Sequence, residues 1–164
     1  VLDRLRSGEY MVGVCTGSSD SDTDLVSEVI RQEPMVLILS GLKKKKFALG
    51  ETIPVLTIES RSGAWTSIED TMRQLKLVRV ASLESFFAVA QMAVSGFGHG
   101  LVPIGVARTL GVEDRHLIKL GGSDTTPSLT RPVRFVARKS MFAQALVRSF
   151  YLEAARLAAD MDET

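Results

Sequence analysis

The chain has 164 residues, 45% of them hydrophobic and 24% charged, with a formal net charge of +1. That balance describes a globular chain long enough for a real core, in one domain or two small lobes, and it leaves no global electrostatic footprint for nucleic acid. A single cysteine, Cys15, excludes an intrachain disulfide framework and fits a reducing compartment.

Helix-like and strand-like segments alternate along the chain. Val1–Gly8 (VLDRLRSG) predicts the last turns of a helix, with Leu2 and Leu5 on one face and Gly8 as the residue that ends it. Tyr10–Thr16 predicts a short apolar strand, Asp24–Gln32 a helix or helical turn, and Met35–Ser40 a buried strand. The basic run Lys43–Lys46 sits in a polar connection. Solvated lysines are the plain reading there and a phosphate contact is the alternative. Pro54–Glu59 predicts a strand. Trp65, Ile68, Met72 and Leu75 then recur at helical spacing, and Leu77–Ala81 predicts the next strand.

The clearest helix follows. Leu83, Phe86, Phe87, Ala90 and Val94 fall on one apolar stripe, Ser82 is placed to cap it, and Glu84 suits its positive end. Gly96 is placed to end that helix in a left-handed conformation. His99–Pro103 (HGLVP) predicts a buried strand, Pro103 pre-sets the next helix, and Gly111 ends that helix. The glycines at 96, 98 and 100 therefore follow a helix and open a strand, the reverse of a dinucleotide fingerprint, and their spacing is wrong for one. Phe86–Ala107 carries no charged residue and is long enough to span a bilayer, but its glycines, His99 and Pro103 interrupt it, and no membrane span is expected.

His116–Leu120 predicts a strand, Gly121–Pro132 a loop, and Val133–Lys139 another strand. The closing helix is expected to bury Phe142, Ala145, Leu146, Ser149, Phe150 and Leu157 on one face. The alternation argues for an α/β architecture.

The chemical inventory is mostly negative. Two histidines, His99 and His116, and one cysteine cannot build a zinc-type cluster. There is no H-E-x-x-H, G-x-S-x-G or phosphate-loop motif, and the carboxylates are scattered in polar stretches such as Asp20–Asp24. No catalytic residue, metal or cofactor is expected. Cys15 reads either as a small buried hydrophobe or as a thiol at a strand end facing a ligand. His99, between two glycines, reads either as bonded to backbone or as a ligand donor.

Arg79–Val112 (RVASLESFFAVAQMAVSGFGHGLVPIGVARTLGV) resembles the effector-domain core of LysR-type transcriptional regulators: a strand, a Ser-initiated helix, a glycine stop, a short strand ending in Pro, and a helix. Arg4–Val14, Pro34–Ser40, Thr52–Ser60 and Leu129–Ala155 resemble further segments of that family in the same order. Met11 stands where the family often has Asp, and KKKKFAL replaces a frequent His-Pro-Leu. The resemblance starts inside the family's first helix, so these residues read as part of a longer protein. Its winged helix-turn-helix DNA-binding domain, which contacts DNA, would lie outside them.

The resemblance implies an α/β, two-lobed, type 2 periplasmic-binding-protein-like fold with two crossing strands. Lobe I would hold residues 1–38 and 128–164 and lobe II residues 39–127. Ligands would sit between the lobes, where strand ends and helix N-termini favour anions. The matching positions are Cys15, Thr16 and Gly17, then Glu59, Ser60 and Arg61, then Ala81 and Ser82, and His99. For the hydroxyls, plain capping is the competing role. Arg61 is the best carboxylate partner because its fork binds two oxygens at once. The implied function is a cytoplasmic, ligand-sensing regulatory domain that binds a small, anionic effector to control transcription; the alternative is the solute-binding protein of a transporter. The implied partners are the effector and further copies of the chain, as a dimer or tetramer, with Leu83–Val94 near the family's dimer contact.

Overall fold

The structure, a computed structural model, describes residues 1–16, 23–43, 47, 51–59, 63–120 and 128–161, with the backbone alone for 63–67. Lys44–Lys46, Asp20–Asp22, the greater part of the 121–132 loop and the side chain of Trp65 lie outside the described set. The elements in order are α1 (Leu2–Arg6), β1 (Val12–Cys15), β2 (Leu25–Ile38), β3 (Ile53–Ile58), α2 (Gly63–Gln74), β4 (Leu77–Leu83), α3 (Phe86–Val94), β5 (His99–Pro103), α4 (Ile104–Thr109), β6 (Leu117–Lys119), β7 (Thr130–Arg138), α5 (Lys139–Phe142) and α6 (Ala145–Asp160).

The chain forms two compact units. One is built on the described residues of Val1–Gln32, Ser62–Ala64 and Pro132–Thr164, the other on those of Glu33–Arg61 and Trp65–Arg131. Strands β2 and β7 each contribute to both.

The β2 strand corrects one expectation. Asp24–Gln32 is not helical: Leu25 starts a strand of 14 residues that runs without a break to Ile38. Val26, Val29 and Ile30 are β-branched, which costs a helix side-chain freedom and suits a pleated surface. The second half of the strand, Met35 to Ile38, is buried on both faces.

In the first unit, β1 lies antiparallel to β7, with Val12 opposite Ala137 and Cys15 opposite Arg134. Alternation along β7 divides its side chains between two faces. Val136 meets Leu5 of α1 and Leu25 on one side, while Phe135 and Ala137 meet Val147 of α6 on the other. Gly8 takes φ +83° to turn the chain out of α1, as expected.

The buried face of α6 is not the expected one. Val147, Tyr151, Ala154 and Ala158 face inward, whereas Leu146 is 75% exposed and Phe150 and Leu157 are about half exposed. The helix carries apolar residues around more than one stripe. The stripe that packs is set by Phe135, whose ring meets those of Tyr151 at 5.5 Å, Phe150 at 5.9 Å and Phe142 at 6.4 Å.

In the second unit the strand order is β6–β2–β5–β3–β4. β5 and β6 flank β2 antiparallel, and β3 lies parallel to both β5 and β4. One face of this sheet packs Met35, Leu37, Val55 and Leu101 against Ile68 and Met72 of α2. The other packs Val36, Ile38, Leu56 and Val102 against Val89, Ala90 and Ala93 of α3 and Ala107 of α4.

The start of α3 differs from expectation. Ser85, not Ser82, is the N-cap, and its hydroxyl accepts the Ala88 N–H at 3.2 Å. Ser82 and Leu83 stay extended because they continue the parallel ladder with Thr57 and Ile58. The buried stripe is accordingly Phe86, Val89, Ala90 and Ala93, with Phe87 47% exposed. The end of α3 is as expected. Gly96 has φ +92°, its N–H donates to the Ala93 carbonyl, and the Phe97 N–H donates to the Met92 carbonyl, which together close the helix. Among the described residues no helix is long and apolar enough to cross a membrane, and Phe86–Ala107 resolves into α3, β5 and α4.

Gly100 permits α3 to lie close on β5. A Cβ there would stand 2.8 Å from the Ala93 Cβ and 3.2 Å from the Val89 side chain. Gly100→Ala is expected to lower the free energy of unfolding by about 1–3 kcal/mol, measured by urea denaturation. A midpoint equal to wild type would show that α3 can shift off β5 without loss.

Candidate functional site

Parallel strands point their ends the same way, and the chain leaves β3 and β4 at one end of the second unit's sheet. There Leu56 is opposite Ala81 and Thr57 is opposite Ser82. Glu59 follows β3 immediately and is exposed, as are Ala81, Ser82 and Ser85. The chain turns directly from β4 through Ser85 into α3. Ser85 serves the Ala88 N–H with its side chain and the Val89 N–H with its carbonyl. By helix geometry the N–H groups of the first turn point toward this end. Hydroxyls and backbone donors therefore gather at the positive end of a helix dipole.

Thr57 lies beside Ser82 in the ladder, and alternation with Leu56, which packs toward α3, turns its side chain to the face covered by α2. It is fully buried, and its hydroxyl has no hydrogen-bond partner among the described residues. A buried hydroxyl left unpaired costs about 1–3 kcal/mol. The signal in the sequence is slight: one hydroxyl inside the otherwise apolar run PVLTI.

His99 stands apart from these groups. It opens β5 beside Val55, two positions before the level of Thr57 on β3. Its Nδ1 accepts the Ser40 N–H at 3.1 Å, and its ring meets Phe47 edge-on at 5.3 Å. The side chain thus ties β5 to the turn after β2. With Nδ1 as acceptor, the neutral ring carries its hydrogen on Nε2.

Cys15 and Thr16 belong to the first unit. Cys15 is a free, half-buried thiol at the end of β1, packed against the cluster of Leu5, Leu25 and Val136, and Thr16 follows it, also half-buried. Gly17, Ser60 and Arg61 lie outside the described residues. Of the expected positions, the structure brings together Glu59, Ala81 and Ser82, and adds Thr57 and Ser85 to them. Among the described residues no group of three or more His, Cys, Asp or Glu is placed to hold a metal ion.

Comparison with known proteins identifies the family and the fold. Residues 1–158 match the family described as the LysR substrate binding domain. An uncharacterized HTH-type transcriptional regulator of Vibrio cholerae serotype O1 is 23% identical over 153 residues, 91% of this chain and 49% of that protein, so the chain spans about half the length of that relative. Among solved structures, the effector binding domain of QuiR in complex with shikimate is similar with a TM-score of 0.66 at 12% identity, over 97% of this chain and 77% of that one. The Synechocystis CcmR regulatory domain in complex with 2-PG is similar with a TM-score of 0.63 at 17% identity, over 98% and 79%. At such identities the likeness shows the fold, the α/β, two-lobed, type 2 periplasmic-binding-protein-like class expected from the sequence. With the match running through nearly the whole chain, the protein belongs to the LysR substrate binding domain family, a family of transcriptional regulators.

Proposed function

We propose that the chain is the sensing domain of a LysR-type transcriptional regulator and that its effector is a small organic anion. The observation that carries the ligand class is the surplus of donors where β3, β4 and α3 meet. Ser82 and Ser85 contribute exposed hydroxyls and the first turn of α3 contributes backbone N–H groups, with the buried, unpaired Thr57 hydroxyl beside Ser82 in the ladder. Glu59 and Glu84 are the carboxylates beside these residues, and Arg61, close behind Glu59 in sequence, would supply the guanidinium fork. An anion meets such a set favourably, whereas a buried cation would be left without compensation. That QuiR and CcmR domains were solved with shikimate and 2-PG supports a small-molecule ligand. Thr16 and Cys15 remain proposed contacts from the first unit.

Control of transcription would run through a DNA-binding domain outside these residues, in a cytoplasmic protein. Binding would shift an equilibrium between conformations of the regulator by as much as the ligand prefers one over the other. The regulator would act as a homo-oligomer, dimer or tetramer. Phe87 on α3 and Val78 and Val80 on β4 are exposed apolar side chains on adjoining elements, which supports a contact between copies there.

Three measurements test this reading. Calorimetry with a small carboxylate selected by thermal shift should show Arg61→Ala binding about ten- to a hundredfold more weakly, the loss of one charge-assisted bond. Thr57→Val should also weaken binding while leaving the unliganded protein at least as stable as wild type. Equal affinity in both variants, or selection of cations from the panel, would exclude the anion reading. Sedimentation of the full-length regulator should show Phe87→Glu shifted toward monomer at concentrations where wild type associates; an unchanged profile places the contact elsewhere. These residues alone, with net charge +1, should retain no duplex DNA sequence-selectively at moderate salt in a mobility-shift assay.

A further inference from the structure

One ion pair lies inside the second unit rather than on its surface. The Arg131 Nε donates to Glu33 Oε2 at 2.8 Å and its Nη2 reaches the same oxygen at 2.6 Å. The two side chains are 20% and 10% exposed. The other carboxylate oxygen of Glu33 rests against Gly105 in the first turn of α4, where an added Cβ would meet Oε1 at 2.9 Å. On its far side the Arg131 guanidinium covers the ring of Phe86, the first residue of α3, at 5.2 Å from the ring centre.

The positions of the pair in the chain give it meaning. Glu33 is the residue of β2 at which the second unit begins, and Arg131 is the residue of β7 at which it ends. A surface ion pair at such places would contribute little. A sheltered one that is also stacked on an aromatic ring and lodged against a glycine holds its parts in a single arrangement, because each alternative leaves a charge with a poorer partner. Arg131 suits this task through its planar fork, which bonds along one edge and stacks on its face.

We propose that Glu33 and Arg131 form a clasp that positions the first turn of α3 from the two strands connecting the units, so that the start of α3 moves together with β2 and β7. The pair acts on α3 through Phe86 and on α4 through Gly105, and it makes both residues positioning residues rather than ligand contacts. The inference stands on these contacts and does not require the ligand class given above.

Residue-resolved hydrogen exchange on the chain tests it, with wild type, Glu33→Gln and the paired variant Glu33→Leu/Arg131→Met. The paired variant removes both charges together, so no ion is left buried alone and the fold is kept. In both variants the amides of Ala88, Val89 and Ala90 are expected to exchange about tenfold faster, the size expected from losing one charge-assisted contact. The amides of α2 and α6 are expected to keep their wild-type rates. Unchanged exchange at Ala88 to Ala90 in the paired variant overturns the proposal, and so does an equal acceleration in α2, which marks general loss of stability. The measurement uses no ligand, so its failure is separate from failure of the effector assignment.

Discussion

The second unit depends on four consecutive residues of β2. Met35, Val36, Leu37 and Ile38 are at most 1% exposed, and they alternate between the two faces of the sheet. Met35 and Leu37 belong to the core under α2, and Val36 and Ile38 to the core under α3 and α4. A strand buried on both sides must also pair on both edges, since an unpaired backbone group away from water is costly. β5 and β6 meet that demand, each running antiparallel to β2. The rest of the sheet then follows, for β5 is the strand on which β3 aligns in parallel, and β3 in turn carries β4. The donor-rich end of the unit is where that parallel series stops.

This dependence explains which parts of the fold were legible in the sequence. Apolar runs bounded by punctuation, such as HGLVP after Gly96, read correctly because their burial is complete and their ends are fixed by glycine and proline. The first half of β2 did not read correctly. Leu25–Gln32 alternates polar and apolar residues too irregularly to declare a period, and its strand state comes from continuing into the buried half, which no local window contains. The face of α6 failed for a related reason. Its apolar residues occupy more of the circumference than one stripe, and the choice among them was made by the distant Phe135.

The candidate site shows the same division. Ser82 and Ser85 both suit a helix start by composition, and the ladder between β4 and β3 decides in favour of Ser85. Thr57 did not stand out as a candidate because a threonine in a strand is ordinary. It becomes notable once the fold removes it from water without supplying a partner. Family resemblance pointed to this end of the sheet, while side-chain detail there came from geometry.

The far end of α3 has a consequence for how such a domain can diversify. That end is held by the closing bonds from Gly96 and Phe97 and by the close approach of Ala93 and Val89 over Gly100, beside a Gly96 whose added Cβ would stand 3.7 Å from the Gly41 Cα. None of these uses a side chain that could also recognise a ligand. The opposite end presents Ser82, Ser85 and Phe87, all exposed. Main-chain closure and exposed polar side chains therefore fall at separate ends of one short helix. Substitutions at these exposed positions can accumulate without loosening the joint at the glycine end of the helix.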